Sequence, residues 1–472
     1  MRILYYYWTQ YDDETRRGGG VQVYLKNIIN YFKNNKNVEI VTLNSGVDYS
    51  ISGKLKIEKI FDNNCKCFKI VNSPILAPSK ASFHEVDKYL FDEKLKKILK
   101  EFISKNGPFD VIHIQSLEGL SLKVLELKEL FPKTKFILSL HNYFYFCPQV
   151  NLWKNDELNC SNYHNGKDCV NCLGAFPNSS SIKKYYTINT SLAKLGLAKQ
   201  STKITKNIKK IYTKLHFSKG KEECRDNKTG NLYADFRNKN VEYINRYVDF
   251  VLCVSERVRD IAISMGINGK KAYTSYIGTQ FAKSALGKNR NDIFNRVFGM
   301  AYMGYMRKDK GLYFLVDSLE AMEKEYSKNI SITIAAKQDD LALTERIKKL
   351  KAKFKEVILY DGYTHNDIKN ILKNVNLGIV PVLWEDNLPQ VAIEFCSLGI
   401  PVLASNLGGP SELSKAKEFV FKAGNIEDFN DHVYNLIDNR LLLNKYFEQQ
   451  IELTTMEAHC QRLLEIYNGK QE

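Results

Sequence analysis

Short apolar runs alternate along the chain with segments whose apolar residues recur at helical spacing. The first run, Arg2–Tyr6, predicts a buried strand, and the segment Val21–Phe32, after the glycines at 18–20, predicts a helix. The alternation continues with predicted strands at Glu39–Leu43, Val111–Ile114 and Phe136–Leu140, and with predicted helices at about 86–105 and 119–130. Such an alternation predicts a parallel sheet with helices on both faces.

The alternation stops after His141 and returns at Phe250–Val254, so an insertion at about 147–240 interrupts the first unit. A second alternation begins at Arg296, with predicted strands at Val297–Met303, Ile330–Ala335, Val357–Leu359, Leu377–Pro381 and Val402–Ala404. The predicted fold class is α/β, with two doubly wound, Rossmann-like domains at 1–285 and 296–450. We expect a polar linker at 282–295 and a helix at 451–472 that packs back on the first domain. Two such domains create a cleft between the carboxyl ends of their sheets, where this kind of sheet binds ligands.

Composition narrows the class of protein without naming its ligand. The net charge of +16 indicates a polyanionic partner such as nucleic acid, an anionic membrane surface or a phosphorylated substrate. The ten cysteines are few for 472 residues and fit a reducing cytoplasm better than a disulfide framework. No stretch has the pattern of a signal peptide or of a membrane-spanning helix, so we expect a cytoplasmic protein.

The loop and helix that follow a predicted strand of the second unit carry the most informative residues. Pro389 favours a helix start, and the free amides there suit a diphosphate or a sugar hydroxyl. Asp386 on the loop and Glu394 in the helix lie eight residues apart, so their carboxylates can hold opposite ends of an extended polyhydroxylated ligand. This segment, together with Gly399–Ser405 and Gly408–Glu412, resembles the E-x7-E region of the retaining glycosyltransferases of family 4, which have the GT-B fold.

The resemblance implies a role for each acidic position. Glu394 is implied to bind the ribose hydroxyls of a nucleotide-sugar, and Asp386 to contact the transferred sugar. Asp386, rather than Glu385, stands at the first acidic position of the motif. The implied donor site also includes the start of the helix, at Leu388, Pro389 and Gln390.

A glycine turn upstream carries cations. Gly304–Gly311 is similar to the family's G-R-x4-K-G loop, whose arginine and lysine neutralise the donor diphosphate. Lys310 matches the lysine, but Tyr305 stands at the arginine position, so Arg307 is our candidate substitute. Departure of a nucleoside diphosphate concentrates negative charge, which fixed cations stabilise in a dry cleft.

The first unit contributes a glycine loop and a histidine. Gly19 and Gly20 are similar to the family's glycine-glycine loop, where backbone amides approach a phosphate or a sugar. His141, at the carboxyl end of a predicted strand, resembles the histidine that polarises a hydroxyl near the anomeric carbon. For His113 we favour a structural role.

The resemblance implies a sugar transferase that uses a UDP- or GDP-sugar and a glycan or polyprenyl-linked acceptor, with retention of anomeric configuration. A place in bacterial surface polysaccharide biosynthesis would follow. No catalytic metal is expected and no general base is assigned, because the leaving phosphate takes the acceptor proton in the favoured same-face mechanism. The acidic pair is therefore not the acid and nucleophile of a hydrolase.

Cys147, Cys160, Cys169 and Cys172 cluster in the expected insertion. Four thiolates suit a tetrahedral structural zinc, and the Cys-x2-Cys pair can chelate an ion from a tight turn. The alternative is four reduced thiols.

A basic segment, Ser201–His216, follows these cysteines with isoleucines and a leucine on one helical stripe and lysines around it. Such a helix either lies on an anionic membrane surface, here the inner face of the plasma membrane, or packs on the domain as an ordinary solvated helix.

Two other classes of protein compete with a transferase. A nucleotide-sugar epimerase or a phosphorylase has the same two-domain architecture, and an epimerase would convert the donor without any acceptor. A nucleic-acid-binding protein would account for the charge, but the chain has no recognisable nucleic-acid module, so no nucleic-acid partner is expected.

Overall fold

The computed structural model describes residues 1–14, 17–60, 65–155, 157–172, 179–194, 227–279, 282 and 297–470. The strands of the first half are β1 (Arg2–Tyr6), β2 (Glu39–Asp48), β3 (Lys56–Ile60), β4 (Lys66–Val71), β5 (Val111–Ile114), β6 (Lys135–Leu140), β7 (Trp153–Lys154), β8 (Leu158–Asn159), β9 (Phe250–Cys253) and β10 (Ala272–Thr274). Its helices are α1 (Gly19–Phe32), α2 (Val86–Phe91), α3 (Lys94–Asn106), α4 (Leu127–Leu130), α5 (Ser179–Lys194), α6 (Asn227–Tyr247) and α7 (Glu256–Ser264).

The first sheet has the order β10-β9-β6-β5-β1-β2-β4-β3. Its strands pair in parallel except at the edge, where β3 runs antiparallel to β4. The short hairpin β7–β8 stands apart from this sheet, in the insertion.

The second half repeats the alternation more regularly. Its strands are β11 (Phe298–Tyr305), β12 (Ile330–Lys337), β13 (Glu356–Asp361), β14 (Leu377–Val380), β15 (Val402–Ser405) and β16 (Val420–Phe421). Its helices are α8 (Leu312–Ala321), α9 (Lys324–Ser327), α10 (Leu341–Lys349), α11 (Ile368–Ile371), α12 (Gln390–Ser397), α13 (Ile426–Asp438), α14 (Leu442–Glu448) and α15 (Met456–Tyr467). The strands pair in parallel in the order β13-β12-β11-β14-β15-β16.

The predicted fold class is confirmed, because two parallel sheets covered by helices face each other as two Rossmann-like units. The prediction missed the hairpin β7–β8 and also β3, β4, β10 and β16, which lie at or next to sheet edges. These strands are short or rich in lysine, as edge strands often are, so they lack the continuous apolar run that marked the central strands. The helix expected at 86–105 is two helices, which separate at Asp92–Glu93.

The last helix, α15, packs on the first sheet rather than on the second. The hydroxyl of Tyr467 lies 2.9 Å from that of Tyr5 on β1 and 2.7 Å from Nδ1 of His113 on β5. His113 is fully buried, and its Nε2 lies 2.8 Å from the hydroxyl of Ser139 on β6. His113 therefore ties two strands to the last helix, which is a structural role.

Two expected features lie outside the described residues. They are the basic segment Ser201–His216 and, apart from Ala282, the linker at 282–295. Among the helices that the structure describes, none has the length and apolarity needed to cross a membrane.

Candidate functional site

The two halves of the chain meet at the carboxyl ends of their sheets. Nε2 of Gln390, the first residue of α12, donates to the carbonyl oxygen of Gly20 at 3.4 Å. Gly19 and Gly20 are exposed and form the first turn of α1, directly after the loop that follows β1. The predicted glycine loop and the predicted donor helix therefore face each other.

Two carboxylates from the second half of the chain bind the start of α7, which belongs to the first half. Nε and Nη2 of Arg257 donate to the two carboxylate oxygens of Glu385 at 2.9 and 2.5 Å. Glu412 accepts hydrogen bonds from the backbone N–H groups of Glu256 and Arg257, and from the hydroxyl of Tyr276. A carboxylate at a helix N-terminus is stabilised by the free amides and by the helix dipole. These contacts join the two halves beside the cleft.

A glycine turn holds in place the acidic loop, which follows β14 and carries Glu385 and Asp386. Gly408 has a φ of +72°, and a Cβ there would lie 2.0 Å from the carbonyl oxygen of Asp386, so only glycine fits. The backbone N–H of Gly408 donates to Glu385, and that of Gly409 donates to the carbonyl oxygen of Asp386, at 2.9 and 2.8 Å. These bonds hold Glu385 and Asp386, two successive residues, against the same glycine turn.

The start of α12 lies one residue later than the sequence indicates. Pro389 is the N-cap, with an extended backbone, and Gln390 is the first helical residue. Leu388 before it is buried. The start of the helix is thus anchored in the core and presents its free amides at the cleft.

Lys310 and Asp386 bind each other across the loops. Nζ of Lys310 lies 2.5 Å from Oδ2 of Asp386, and the same ammonium lies 4.9 Å from the ring centre of Trp384. Gly311 has a φ of +78°, and a Cβ there would lie 1.6 Å from the carbonyl oxygen of Pro381. The turn therefore requires glycine, and it fixes the lysine against the acidic loop.

Arg307 lies in the same turn but is held by its neighbour. Its guanidinium forms two hydrogen bonds with the buried carboxylate of Asp309, through Nε at 2.9 Å and through Nη2. Half of the Arg307 side chain stays exposed. The arginine is thus close to Lys310 in sequence, with much of its charge already balanced by Asp309.

Glu394 is buried in α12. Its Oε1 lies 3.2 Å from Nδ1 of His365, and its Oε2 finds no hydrogen-bond partner within the described ranges. Burial raises the pKa of this carboxyl to about 7. Glu394 therefore keeps one oxygen available for a ligand.

His141 follows β6 and is partly buried. Its Nε2 lies 2.7 Å from Oε1 of Gln115 and therefore carries the proton that it donates to this oxygen. Its ring packs against Tyr24 at 4.9 Å, and Tyr24 in turn bonds to His459 of α15 at 2.7 Å. Burial, with a smaller effect of His459, lowers the pKa of His141 to about 3. His141 is thus neutral near pH 7, with Nδ1 as a hydrogen-bond acceptor.

Several buried polar atoms around the cleft find no hydrogen-bond partner in the part of the chain that the structure describes. They follow the carboxyl ends of strands in both sheets. These atoms are Thr9 Oγ1 after β1, Gln115 Nε2 after β5, Tyr143 Oη after β6, Trp384 Nε1 and both amide atoms of Asn387 after β14, and Glu394 Oε2 in α12. Unpaired buried polar atoms are rare in folded proteins because each costs free energy. Seven of the fifteen such atoms found in the described residues thus lie around the cleft, where the hydroxyl groups of a ligand could pair with them.

Cys147, Cys160, Cys169 and Cys172 line one small cavity in the insertion. Arg237 of α6 also lines it, with Nη2 4.0 Å from Sγ of Cys169. Over the described residues, however, no three His, Cys, Asp or Glu side chains are arranged to hold a metal ion. The structure thus brings the four cysteines together without the geometry of a ligand set, and the structural zinc stays a prediction.

The sequence did not reveal every residue at the cleft. Arg257 and His365 lie in no motif, and they reach the acidic segment only through the fold. Tyr143 stands two residues after His141, and nothing in the sequence marks its hydroxyl as unpaired. Glu412 was part of a recognised motif, which gave a clue to its importance but not to its partner.

Two Rossmann-like domains that face each other across a polar cleft define the GT-B class of fold. Residues 298–439, from β11 to the end of α13, match the family model described as Glycosyl transferases group 1. The second half of the chain therefore carries a glycosyltransferase group 1 domain.

Curated relatives agree with this domain. An uncharacterized glycosyltransferase of Methanocaldococcus jannaschii is 26% identical over 181 residues, which is 36% of this chain and 43% of that protein. The UDP-Gal:alpha-D-GlcNAc-diphosphoundecaprenol alpha-1,3-galactosyltransferase of Escherichia coli is 21% identical over 232 residues, which is 45% of this chain and 59% of that protein. The chain thus spans about half the length of the curated relatives that it matches.

A solved structure extends the likeness of fold to the whole chain. The crystal structure of Anabaena HepE in complex with UDP and glucose has a TM-score of 0.54, covers 100% of both chains and is 13% identical. At this identity the likeness shows the fold alone.

Proposed function

We propose that this protein is a retaining glycosyltransferase that moves a sugar from a UDP- or GDP-sugar to a glycan or polyprenyl-linked acceptor. Its place would be the synthesis of a bacterial surface polysaccharide, at the cytoplasmic face of the membrane that carries the acceptor. The group 1 domain supports the reaction class, and the activity for which the Escherichia coli relative is named supports a nucleotide-sugar donor and a diphosphoundecaprenol acceptor.

One observation carries the proposal: seven unpaired buried polar atoms lie around the cleft, six of them after strand ends of the two sheets and one in α12. Hydroxyl groups of a sugar and of a ribose both donate and accept, so they satisfy donors such as Trp384 Nε1 as well as acceptors such as Glu394 Oε2. A ligand between the sheets would restore hydrogen bonds that folding leaves unmade, which favours binding in this cleft over other surfaces.

The cations have a direct role in this reaction. Lys310 would neutralise the diphosphate as its negative charge grows in the transition state, with Arg307 contributing from the same turn. Lys310 is fixed and partly desolvated by Asp386 and Trp384, and the donor diphosphate would share its ammonium with Asp386. The free amides at the start of α12 and the glycine loop face the same charge.

The remaining groups orient the sugars. Glu394 would accept hydrogen bonds from the ribose, and Asp386 from the transferred sugar. Neutral His141 would accept a hydroxyl hydrogen through Nδ1, since its Nε2–H is used by Gln115. We assign no general base among these residues, and the departing phosphate receives the acceptor proton.

A donor panel tests the function. Purified protein is incubated with UDP-, GDP-, ADP- and dTDP-sugars and a lipid-linked acceptor, and the product is analysed for the transferred sugar and its anomeric configuration by NMR. We expect transfer from a UDP- or GDP-sugar with retention. Conversion of donor in the absence of acceptor would indicate an epimerase instead, and binding of nucleic acid with no donor turnover would overturn the proposal.

Two substitutions test the site. Glu394→Gln and Lys310→Ala should each lower turnover by at least about a hundredfold, the scale of a lost transition-state contact. Glu345→Gln and Lys348→Ala are matched controls, since these residues form an exposed ion pair on α10. Wild-type rates in both cleft variants would refute the assignment of these residues.

A further inference from the structure

The loop between β13 and α11 reaches the donor side of the cleft, although no motif marked it. Asp367 fixes this loop, because its Oδ2 accepts hydrogen bonds from both the backbone N–H and the hydroxyl of Thr364 at 2.9 and 2.7 Å. His365, the next residue, thus has a defined position and does not belong to a loosely held surface turn. About half of its side chain, 49%, is exposed.

His365 contacts an acid that is itself almost completely buried. Its Nδ1 lies 3.2 Å from Oε1 of Glu394, whose side chain is only 5% exposed. The second oxygen of that carboxylate, Oε2, is buried and has no hydrogen-bond partner among the residues described. The two oxygens thus have different surroundings: Oε1 lies against the His365 ring, and Oε2 has no partner in the described part of the chain.

An ordinary surface ion pair does not explain this arrangement. In such a pair both side chains are solvated and contribute little free energy. Here the carboxylate has lost most of its water, its Oε1 has a nitrogen at 3.2 Å and its Oε2 has no partner among the described residues, which is costly unless a ligand supplies one. The titratable groups that interact with Glu394 from this loop are His365 and Tyr363, and Tyr363 also interacts with Tyr305.

We propose that His365 is a positioning residue of the nucleotide site: its Nδ1–H holds Glu394 so that Oε2 faces a ribose hydroxyl of the donor. The inference rests on the proposed function and extends it to a residue outside the recognised motifs. His365 acts through Glu394 and takes no part in the bond-making step. Its removal should therefore weaken donor binding much more than it slows the chemistry.

Two substitutions of His365 and one control substitution test this inference. His365→Ala removes the contact with Oε1, and His365→Asn supplies a donor because the Asn side-chain nitrogen occupies nearly the position of Nδ1. His432→Ala is a matched control: Nδ1 of His432 lies 2.8 Å from the carbonyl oxygen of Glu418, on the α13 side of the same half. Thermal unfolding of all three variants checks that they remain folded.

The readout is calorimetric binding of UDP, GDP, ADP and dTDP, followed by the 2′-deoxy and 3′-deoxy forms of the preferred nucleotide. We expect His365→Ala to weaken binding of the preferred nucleotide about tenfold, as for the loss of one hydrogen bond to a charged group. The same substitution should leave nearly unchanged the affinity for the deoxy nucleotide that lacks the hydroxyl contacted by Glu394. The KM for the donor should rise by a similar factor with kcat within about twofold, and His365→Asn should recover most of the loss.

The outcomes separate this inference from the proposed function. If the wild type binds a nucleoside diphosphate and transfers sugar while His365→Ala does so equally well, the role of His365 is refuted and the function stands. An equal loss of affinity for the preferred nucleotide and for both of its deoxy forms also refutes the role of His365, because the contact with a ribose hydroxyl would then not be the cause of the loss. If the wild type binds no nucleoside diphosphate and transfers no sugar, the proposed function falls, and the inference falls with it.

Discussion

Single residues in the cleft carry polar groups that folding leaves unsatisfied. Tyr143 is the clearest, since its ring is completely buried and its hydroxyl has no partner within the described ranges. Burial, with the nearby charges of Glu385 and Asp386, raises the pKa of Tyr143 well above its usual value, so the hydroxyl remains a proton donor. A buried donor without a partner, close enough to these acids to feel their charge, suits a sugar better than it suits the folded chain alone.

Tyr143→Phe tests that interpretation through the sign of its effect on stability. Removing an unpaired buried hydroxyl removes an unfavourable term of about 1–3 kcal/mol, so the variant should be as stable as the wild type or more stable. Turnover should fall by roughly tenfold because the ligand loses one hydrogen bond. Urea unfolding and initial rates measure the two effects. A clear loss of stability would mean that the hydroxyl has a partner in the folded protein.

Glu394 should make stability depend on pH in a direction opposite to that of most carboxylates. Its pKa is about 7 in the folded protein and near the ordinary 4.5 when unfolded, so the folded state binds the proton more tightly. This contribution to stability is complete below about pH 4.5 and is lost as pH rises through 7. The buried histidines have lowered pKa values and act in the opposite direction, so a comparison of two variants is required.

The measurement is urea unfolding of the wild type and of Glu394→Gln at pH 5 and pH 7.5. The stability of the wild type relative to the variant should fall by about 2 kcal/mol between these values. The same histidines are present in both proteins and cancel in the difference. A difference that does not change with pH would show that the carboxyl is not desolvated.

Among the secondary-structure elements, the hairpin β7–β8 and the turn that follows it hold the cysteine cavity. A structural zinc there should appear as about one zinc per chain in metal analysis of protein purified without chelators. Cys169→Ser and Cys172→Ser should each lose it, whereas Cys67→Ser, on β4 of the first sheet, should keep it. If the purified protein contains no metal and all four thiols react after unfolding, the cysteines are reduced and bind no zinc.

The elements also show how far the sequence could predict the fold. The central strands β1, β5, β6, β12 and β14 were recognised because they are continuous apolar runs between helices. Strands β3, β4, β10 and β16 were missed because their pattern depends on which neighbour they pair with, whereas β13, at one edge of the second sheet, was recognised. Helix α15 was recognised, but its bonds to Tyr5 and His113 join residues more than 350 positions apart, which periodicity does not encode.

Over the whole molecule, the ion pair of Arg257 and Glu385 joins the two halves of the cleft. Arg257→Met should lower stability by about 1–3 kcal/mol, because it leaves a buried carboxylate without its main partner. It should also increase the radius of gyration in small-angle scattering as the halves separate. Lys348→Met breaks an exposed pair within one half and should change neither quantity measurably.

Double substitution provides the check on this interface. Arg257→Met combined with Glu385→Gln removes the unpaired charge, so it should cost less than the sum of the two single variants. An additive result would mean that the two side chains do not interact in solution.

The sequence by itself determined the two alternating patterns, the positions of the glycine turns and the residues of the acidic and basic loops. These features are local, because periodicity and motif spacing extend over a few turns of chain. Only the tertiary structure decided which groups meet: Lys310 with Asp386, 76 positions apart, and Arg257 with Glu385, 128 positions apart. The same is true of His365 with Glu394, and of the buried polar atoms left for a ligand. Burial and pairing depend on how two sheets face each other, and no local pattern contains that information.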